Sequence, residues 1–486
     1  MSDRGREWAP PAPADAARHH PRAAFAAGER HHHVANTAYP IAHRQTLSPY
    51  RCARDAHAEQ VQAAFEGVDH LCLYAHVPFC EARCAYCEYT VLEREQLAQS
   101  GRYMALLRRE LDLWRERLDT RRRTLHGFDI GGGTPSLVAA EDIAALVEQA
   151  KASFAFAPGV DISIETTPKV AAAEPAKLAA YLRAGIRRIS LGIQVTQASL
   201  LSVLARAAQG AHLHQRAVDN IRAAGLRKLN VDLMYGFAGQ SLEDWRATVE
   251  HALALAPEYV TLYRMRYKLT RLSHHAGRVR LGDVRAQAAL AGELLEGAGY
   301  LARPGKNTFS RLEGDVGTSD YLRRRVVDGM PYLGVGLGAQ SFTHTTLSYG
   351  EGAAGKALAP WVRSVEAGIP PLQDLYHLPL EHAAAKMVAV SLYFGEVDRA
   401  AFQAKFQRPF EDVYPREVAF ALEEGLMEAS PRAFSLTPHG ARHFNGTIAL
   451  FFAPSVQAWL LTAPSLDEAP PRQRRAPLPR QEPAVG

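Results

Sequence analysis

The segment Cys80-Glu81-Ala82-Arg83-Cys84-Ala85-Tyr86-Cys87 gathers three of the five cysteines of the 486-residue chain, separated by three and two residues. Thiolates ligate iron–sulfur clusters, and four of them saturate a 4Fe–4S cube. A loop that supplies only three leaves one iron open to another molecule. Zinc competes for such a set, but structural zinc sites take four ligands, usually in two separated pairs. No second Cys-x-x-Cys pair follows Cys87. Unrelated free thiols are ordinary core residues, and nothing would gather them into one short loop.

These cysteines need a rigid support. Leu71 to Val77 reads as a short apolar strand that ends just before Cys80. Beyond the loop, strand-like segments at 125–130, 160–165, 189–193, 229–234 and 259–265 alternate with helical ones at 96–123, 140–154, 175–184, 198–204, 215–224 and 242–255. The first helix shows its period in Leu97, Met104, Leu107, Leu111, Trp114 and Leu118, and Gly185 marks the end of a later one. Six strands joined by helix-length crossovers predict a parallel sheet with right-handed connections, curled into a partial (β/α)6 barrel. In barrels of this kind function gathers at the C-terminal strand ends. The polar residues fall there. The cysteine loop follows strand one, Gly131-Gly132-Gly133-Thr134-Pro135 follows strand two, Glu165 closes strand three, Gln194 ends strand four, and Asp232 sits late in strand five. Random placement would divide them between both ends.

The fold class is therefore α/β. Residues 1–45 read as a disordered Ala-, Pro-, Arg- and His-rich arm in which His31, His32 and His33 are solvated. Residues 46–280 form the barrel core, and 281–375 an extension with a glycine-rich strand or turn at 334–339. Residues 376–462 form a smaller helical or winged-helix-like domain, read as a substrate-covering cap, and 463–486 a disordered tail. An apolar fraction of 47%, a charged fraction of 22% and a net charge of +5 describe a globular protein without a concentrated basic face, which gives no support to nucleic-acid binding. Sparse, clustered cysteine suits a reducing compartment. No apolar run approaches a membrane span, and the early acids Asp3, Glu7, Asp15 and Glu29 argue against a transit peptide. A cytoplasmic location is expected.

With Tyr74-Ala75-His76-Val77-Pro78-Phe79 before Cys80 and the Gly-Gly-Gly-Thr-Pro turn after strand two, the chain resembles the radical S-adenosylmethionine enzymes. More narrowly it resembles the oxygen-independent coproporphyrinogen III oxidase family, from about Tyr74 into the C-terminal helical domain. The resemblance implies a TIM-like barrel whose 4Fe–4S cluster is held by Cys80, Cys84 and Cys87, its open iron chelating S-adenosylmethionine. It implies reduction by an electron donor such as flavodoxin or ferredoxin, cleavage to a 5′-deoxyadenosyl radical, and oxygen sensitivity. It also implies that Gly132, Gly133 and Thr134 meet the methionine part of the cofactor, where glycine permits close backbone approach. Glu165 would accept hydrogen bonds from the cofactor, and Gln194, Arg206 and Asp232 would contact it, Arg206 through its planar fork. Tyr74 and Tyr86 would shield the cluster, and Gln340 would be a late contact. As residues alone, the glycines could form a simple turn, Glu165 could pair with an arginine, and Arg206 could be solvated.

Two departures bear on the reaction. The oxidase carries a further cysteine soon after the cluster motif, whereas Cys87 is followed by Glu88-Tyr89-Thr90. Haem-trafficking relatives carry a His-Asn…Tyr-Trp stretch, whereas residues 315–331 contain neither His nor Trp. The leading expectation is accordingly the class C methylase-like branch, in which up to two S-adenosylmethionine molecules serve methyl transfer or cyclopropanation at an sp² carbon of a small molecule. A porphyrin-metabolising enzyme and a haem-binding chaperone without turnover are the alternatives.

Overall fold

A computed structural model describes residues 18–32, 34, 39–267, 270–315 and 317–464. Six parallel strands form its centre: β1 (His70–Val77), β2 (Thr124–Gly132), β3 (Ile162–Thr166), β4 (Ile186–Gln194), β5 (Lys228–Tyr235) and β6 (Tyr259–Arg264). Each matches a segment expected from the sequence. β4 shows why they form. Ile189, Leu191 and Ile193 face outward and are wholly buried, while Arg188, Ser190, Gly192 and Gln194 alternate with them and line the barrel interior. That is the period of two of a pleated strand, and each outward side chain stabilises the fold by roughly 1.5–3 kcal/mol. The outer layer comprises α2 (Ser100–Leu118), α3 (Ala140–Ser153), α4 (Pro175–Ala184), α5 (His214–Ala223), α6 (Leu242–Ala254) and α7 (Leu281–Gly297).

The sheet extends past both edges of this unit. β7 (Thr308–Ser310) adds antiparallel to β6. On the other side the segment expected as a glycine-rich strand or turn supplies β8 (Tyr332–Val335), which pairs parallel with β1. It then returns through β9 (Gln340–Phe342), β10 (Thr346–Gly350) and β11 (Leu372–His377). The strand order is β11-β10-β9-β8-β1-β2-β3-β4-β5-β6-β7. Gly334 makes the tight return possible, because a β-carbon there would lie 2.3 Å from the Gln340 carbonyl oxygen.

Between β7 and β8 the chain crosses the N-terminal end of the barrel and floors it. Tyr259 donates to Asp315 (2.6 Å), Arg188 to the Gly317 carbonyl (3.0 Å), and Ser319 to Asp129 (2.6 Å). Helix α8 (Asp320–Val326) then presses on β2 at Gly127, where a β-carbon would lie 2.3 Å from the Tyr321 amide nitrogen.

The C-terminal domain combines α9 (Leu358–Glu366), which leads into it beside α2, with α10 (Leu380–Ser391), α11 (Arg399–Phe406) and α12 (Pro415–Glu423). Its small antiparallel sheet has the order β12 (Glu396–Asp398), β14 (Ala433–Leu436), β13 (Met427–Ala429), and α13 (Phe444–Leu450) and α14 (Pro454–Thr462) follow. Phe402, Phe410, Tyr414 and Phe451 pack ring to ring in its core.

The N-terminal arm departs from the expectation of disorder. Pro21–Arg30 is a helix, α1, laid against α13 and α14. Ala24, Ala27 and Gly28 form its buried stripe, and a β-carbon on Gly28 would lie 2.3 Å from the Asn445 carbonyl oxygen. His31 and His32 are buried rather than solvated; His32 bonds Arg264 and His31 lies beside Trp459. Residues 1–17, His33 and most of the expected tail, 465–486, lie outside the described residues. Among those described, no helix is long and apolar enough to cross a membrane.

Candidate functional site

The cysteine loop leaves β1 and is fixed along its length by main-chain bonds. Cys80 N–H donates to the Leu92 carbonyl (2.8 Å), Ala85 N–H to the Leu204 carbonyl (3.0 Å), and Arg271 N–H to the Ala85 carbonyl (3.0 Å). The Arg83 guanidinium reaches the Cys87 carbonyl (2.9 Å). All three cysteines are half-buried and line one cavity. Burial, reinforced by the Cys84 thiol, pushes the Cys80 thiol up to about 12. Among the described residues no three His, Cys, Asp or Glu converge as one metal ion would require. Three thiols in one cavity have the donor type a cluster needs, since its irons each take their own cysteine.

The glycine turn after β2 lies flush against this loop. Gly133 N–H donates to the Val77 carbonyl (2.9 Å) and Thr134 N–H to the Phe79 carbonyl (2.7 Å). The Thr134 hydroxyl stands 3.9 Å from the Cys80 sulfur. A β-carbon on Gly133 would lie 2.6 Å from the Pro78 and Phe79 carbonyls, and one on Gly132, at φ +124°, 2.7 Å from the His76 ring. Glycine is required at 133 by contact with main chain, and at 132 by the positive φ and the His76 ring. His76 is itself locked: its Nε2 faces the Thr90 carbonyl (2.8 Å), and burial lowers its pKa to about 4. It is therefore neutral, with Nδ1 towards the Tyr74 hydroxyl at 3.4 Å.

Across the cavity, Glu165 accepts a hydrogen bond from Gly132 N–H (3.2 Å). Burial first, and then Asp232, raise its pKa to about 8. Asp232 accepts from Asn230 (2.7 Å) and is pushed by burial to about 6. Among the described residues Glu165 thus meets a main-chain amide rather than an arginine. Arg206 is not solvated either. It is buried, with Nη2 on the Gly192 carbonyl (2.6 Å) and Nη1 between the Cys84 sulfur (3.4 Å) and the Tyr86 hydroxyl (3.3 Å). Its Nε is buried without a partner. Gln194 ends β4 at φ +71°, a left-handed conformation uncommon outside glycine, and folds its amide back over Gly192. Gln340 accepts from Tyr332 and from Lys386 (3.2 Å).

Every one of these residues lines the same cavity, of about 1370 Å³: Tyr74, Tyr86, Gly132, Gly133, Thr134, Glu165, Gln194, Arg206, Asp232 and Gln340, with Cys80, Cys84 and Cys87. It runs from the cysteine loop to a wall formed by α8, α10 and α13. Residues 74–252 match the model of the Radical SAM superfamily. This stretch is similar to a Radical SAM domain. The family implies a 4Fe–4S cluster and S-adenosylmethionine, and the three thiols, the glycine cradle and the facing carboxylates have the donor types such a pair needs.

"Heme chaperone HemW" of Haemophilus influenzae is 35% identical over 197 residues, 40% of this chain and 51% of that protein. The chain spans about half the length of this first relative. "Coproporphyrinogen III oxidase, anaerobic 1" of Cereibacter sphaeroides is 28% identical over 387 residues, 76% of this chain and 82% of that protein. The solved structure of coproporphyrinogen III oxidase (HemN) from Escherichia coli superposes with a TM-score of 0.68 at 20% identity, over 86% of this chain and 96% of that one. At that identity the likeness establishes the fold, barrel and C-terminal domain together.

The sequence reading missed several residues of the site. Tyr89 and Tyr263 turn their rings into the cavity and keep 56% and 36% exposure although they lie deep in the protein. Arg325 and Lys386 stand on the far wall. A signal existed for Tyr263, because Thr261 and Tyr263 continue the inward alternation of β6. One existed for Lys386 too, a lone cation among Ala383, Ala384, Ala385, Met387 and Val388.

Proposed function

We propose that this chain is a radical S-adenosylmethionine enzyme that acts on a tetrapyrrole held in the cavity. The observation that carries the reading is the size and continuity of the chamber. Small-ligand pockets commonly enclose about 300–1,000 Å³, and about 1370 Å³ joins the cysteine loop to an aromatic and basic wall in one space. That leaves room for a macrocycle beside a nucleoside cofactor. The names of the relatives, a coproporphyrinogen oxidase and a haem chaperone, favour this over methyl transfer. When bound, the reduced cluster and S-adenosylmethionine supply a 5′-deoxyadenosyl radical. The chain's part is placement. Glu165 and Asp232 offer carboxylates to a cationic cofactor, Arg206 ties the end of β4 to Cys84, and the floor at Asp315, Gly317 and Ser319 together with the C-terminal domain limits access of water.

One observation keeps methyl transfer to an sp² carbon as a second reading. The residue after Cys87 is Glu88, ion-paired to Arg266 within the cavity wall, in the region where the oxidase has its extra cysteine. A single anaerobic assay separates the readings. The reconstituted full chain is given methyl-labelled S-adenosylmethionine, reduced flavodoxin as electron donor, and coproporphyrinogen III. Deoxyadenosine with a decarboxylated porphyrin supports the tetrapyrrole enzyme; S-adenosylhomocysteine with label transfer supports the methylase. Stoichiometric binding of haem added to a parallel sample, without any deoxyadenosine in either, supports the chaperone and defeats both enzyme readings. Cys84→Ala is the control, expected to abolish the cluster absorbance and deoxyadenosine while the circular dichroism stays unchanged.

A further inference from the structure

On the wall opposite the cysteine loop, half-buried Arg325 and buried Lys386 lack a carboxylate partner among the described residues. Arg325 on α8 stacks over the Tyr332 ring (4.4 Å) and donates to the Tyr321 hydroxyl (3.1 Å). Asp129 acts on it only at longer range and is itself engaged by Ser319. Lys386 on α10 donates to the Gln340 side chain (3.2 Å) and the Tyr39 carbonyl (3.3 Å), and lies 5.4 Å from the centre of the Phe342 ring. Behind it Lys405 adds a third positive group over the same ring, at 4.8 Å. Elsewhere on the wall Arg266, Arg285 and Arg303 pair with Glu88, Glu29 and Glu396, while Arg188 and Arg206 donate to main-chain carbonyls and Arg264 to Asn445 and His32.

An unpaired buried cation is costly, so its retention on a cavity wall calls for a counter-charge that arrives with a ligand. Burial, with Arg325 and Lys405 beside it, holds the Lys386 amine down to about 7. An incoming anion would draw a proton onto it. Tyr89 lines the same cavity as this wall and the cysteine loop. Its ring and that of Tyr263 are bare to the cavity, and each feels Tyr393 and Glu165.

We propose that Arg325 and Lys386 form a subsite for a carboxylate of the substrate, while Tyr89 and Tyr263 lie against its flat unsaturated part. The substrate class is thus a tetrapyrrole acid, held by a carboxylate at the far wall with its flat pyrrole rings towards the cysteine loop. This rests on the tetrapyrrole reading and deepens it. Guanidinium suits the anchoring role because its planar fork matches a carboxylate, and aromatic faces accept flat π-systems in offset stacks.

The test uses the full chain with its cluster reconstituted and two probes, coproporphyrin III and its tetramethyl ester, titrated by fluorescence in the same mild detergent. S-adenosylmethionine is titrated in parallel. Wild type is expected to bind the acid at least tenfold more tightly than the ester. Arg325→Gln and Lys386→Met should each weaken the acid at least tenfold and leave the ester and S-adenosylmethionine within twofold. Arg325→Lys should recover part of the acid affinity, which a merely unfolded variant would not do. Tyr89→Leu should weaken acid and ester alike, and Tyr89→Phe neither. Equal binding of acid and ester by wild type, or an unchanged acid affinity in Arg325→Gln, overturns the subsite and leaves the tetrapyrrole reading standing. Weakening of S-adenosylmethionine but not of coproporphyrin III assigns the carboxylate to the cofactor and also overturns it. Binding of neither porphyrin sinks the tetrapyrrole reading and the subsite with it.

Discussion

The Arg206 guanidinium lies 3.4 Å from the sulfur of Cys84. A fixed positive charge so near a cluster ligand stabilises the more negative, reduced state, and hydrogen bonds to sulfur are among the levers that set cluster potentials. Arg206→Met should therefore assemble a cluster whose midpoint potential is more negative, with deoxyadenosine production at least tenfold lower. Spectroelectrochemical titration reads the first effect, and an unchanged potential would refute it. The same change strands the Gly192 carbonyl, now bonded at 2.6 Å, at a cost of about 1–3 kcal/mol in stability.

Glu165 and Asp232 predict a pH dependence. Both folded-state values, about 8 and about 6, lie above the ordinary 4.5 and 3.8. The folded apoprotein thus keeps protons that the unfolded chain has already lost, and its stability from these groups falls as pH rises from about 4 to about 8. A cationic cofactor prefers the ionised pair, so its affinity should rise over the upper part of that range. Glu165→Gln should flatten the rise above pH 6 and weaken S-adenosylmethionine by roughly 10- to 100-fold, equivalent to about 1.4–2.8 kcal/mol. Calorimetric binding at pH 6, 7 and 8 is the measurement, and parallel pH curves for the two proteins would reject the assignment.

Gly133→Ala tests the contact between turn and cysteine loop. Its added methyl would lie 2.6 Å from the Pro78 and Phe79 carbonyls, both backbone, so the loop must move. Overpacking of this sort costs about 1–3 kcal/mol. We expect a lower melting temperature together with substoichiometric iron, whereas Gly101→Ala, with open space around it, should change neither.

A fourth prediction concerns Glu110, wholly buried on α2. It accepts from Gly336 N–H (2.9 Å), Trp361 (2.9 Å) and Trp114 (3.3 Å). Gly336 in turn abuts the His76 carbonyl, to which Tyr103 donates at 2.7 Å. Glu110→Ala orphans three donors and leaves a void, so a loss of about 2–5 kcal/mol is expected. Chemical denaturation measures it, and a loss below about 1 kcal/mol would contradict this account.

The parallel strands were readable because each carries outward Ile, Leu or Val in alternation, and that pattern needs no knowledge of its partner. The polar residues at their C-terminal ends were readable for the same reason. Helix α1 was not. Its buried face is Ala24, Ala27 and Gly28, and small residues reveal burial only when the surface they touch is known. Nor was the partner of Tyr332–Val335, because a strand of four residues does not specify whether β1 or another edge receives it. Arg325 and Lys386 escaped notice because a basic residue in a helix is ordinarily solvated, and only the fold turns these two inward.

His32, Arg264 and Asn445 meet on the cavity wall: Arg264 donates to His32 (2.7 Å) and to the Asn445 side chain (2.7 Å), and Asn445 returns a bond to the His32 carbonyl (3.3 Å). These three positions span nearly the whole described chain. Proteins emerge from the ribosome N-terminus first and tend to fold unit by unit as they do. The six parallel strands are present once residue 264 has emerged, whereas the wall awaits residue 445. For that interval of synthesis the three cysteines face an open trough. The cavity around the cysteines is thus complete only when the chain is nearly finished.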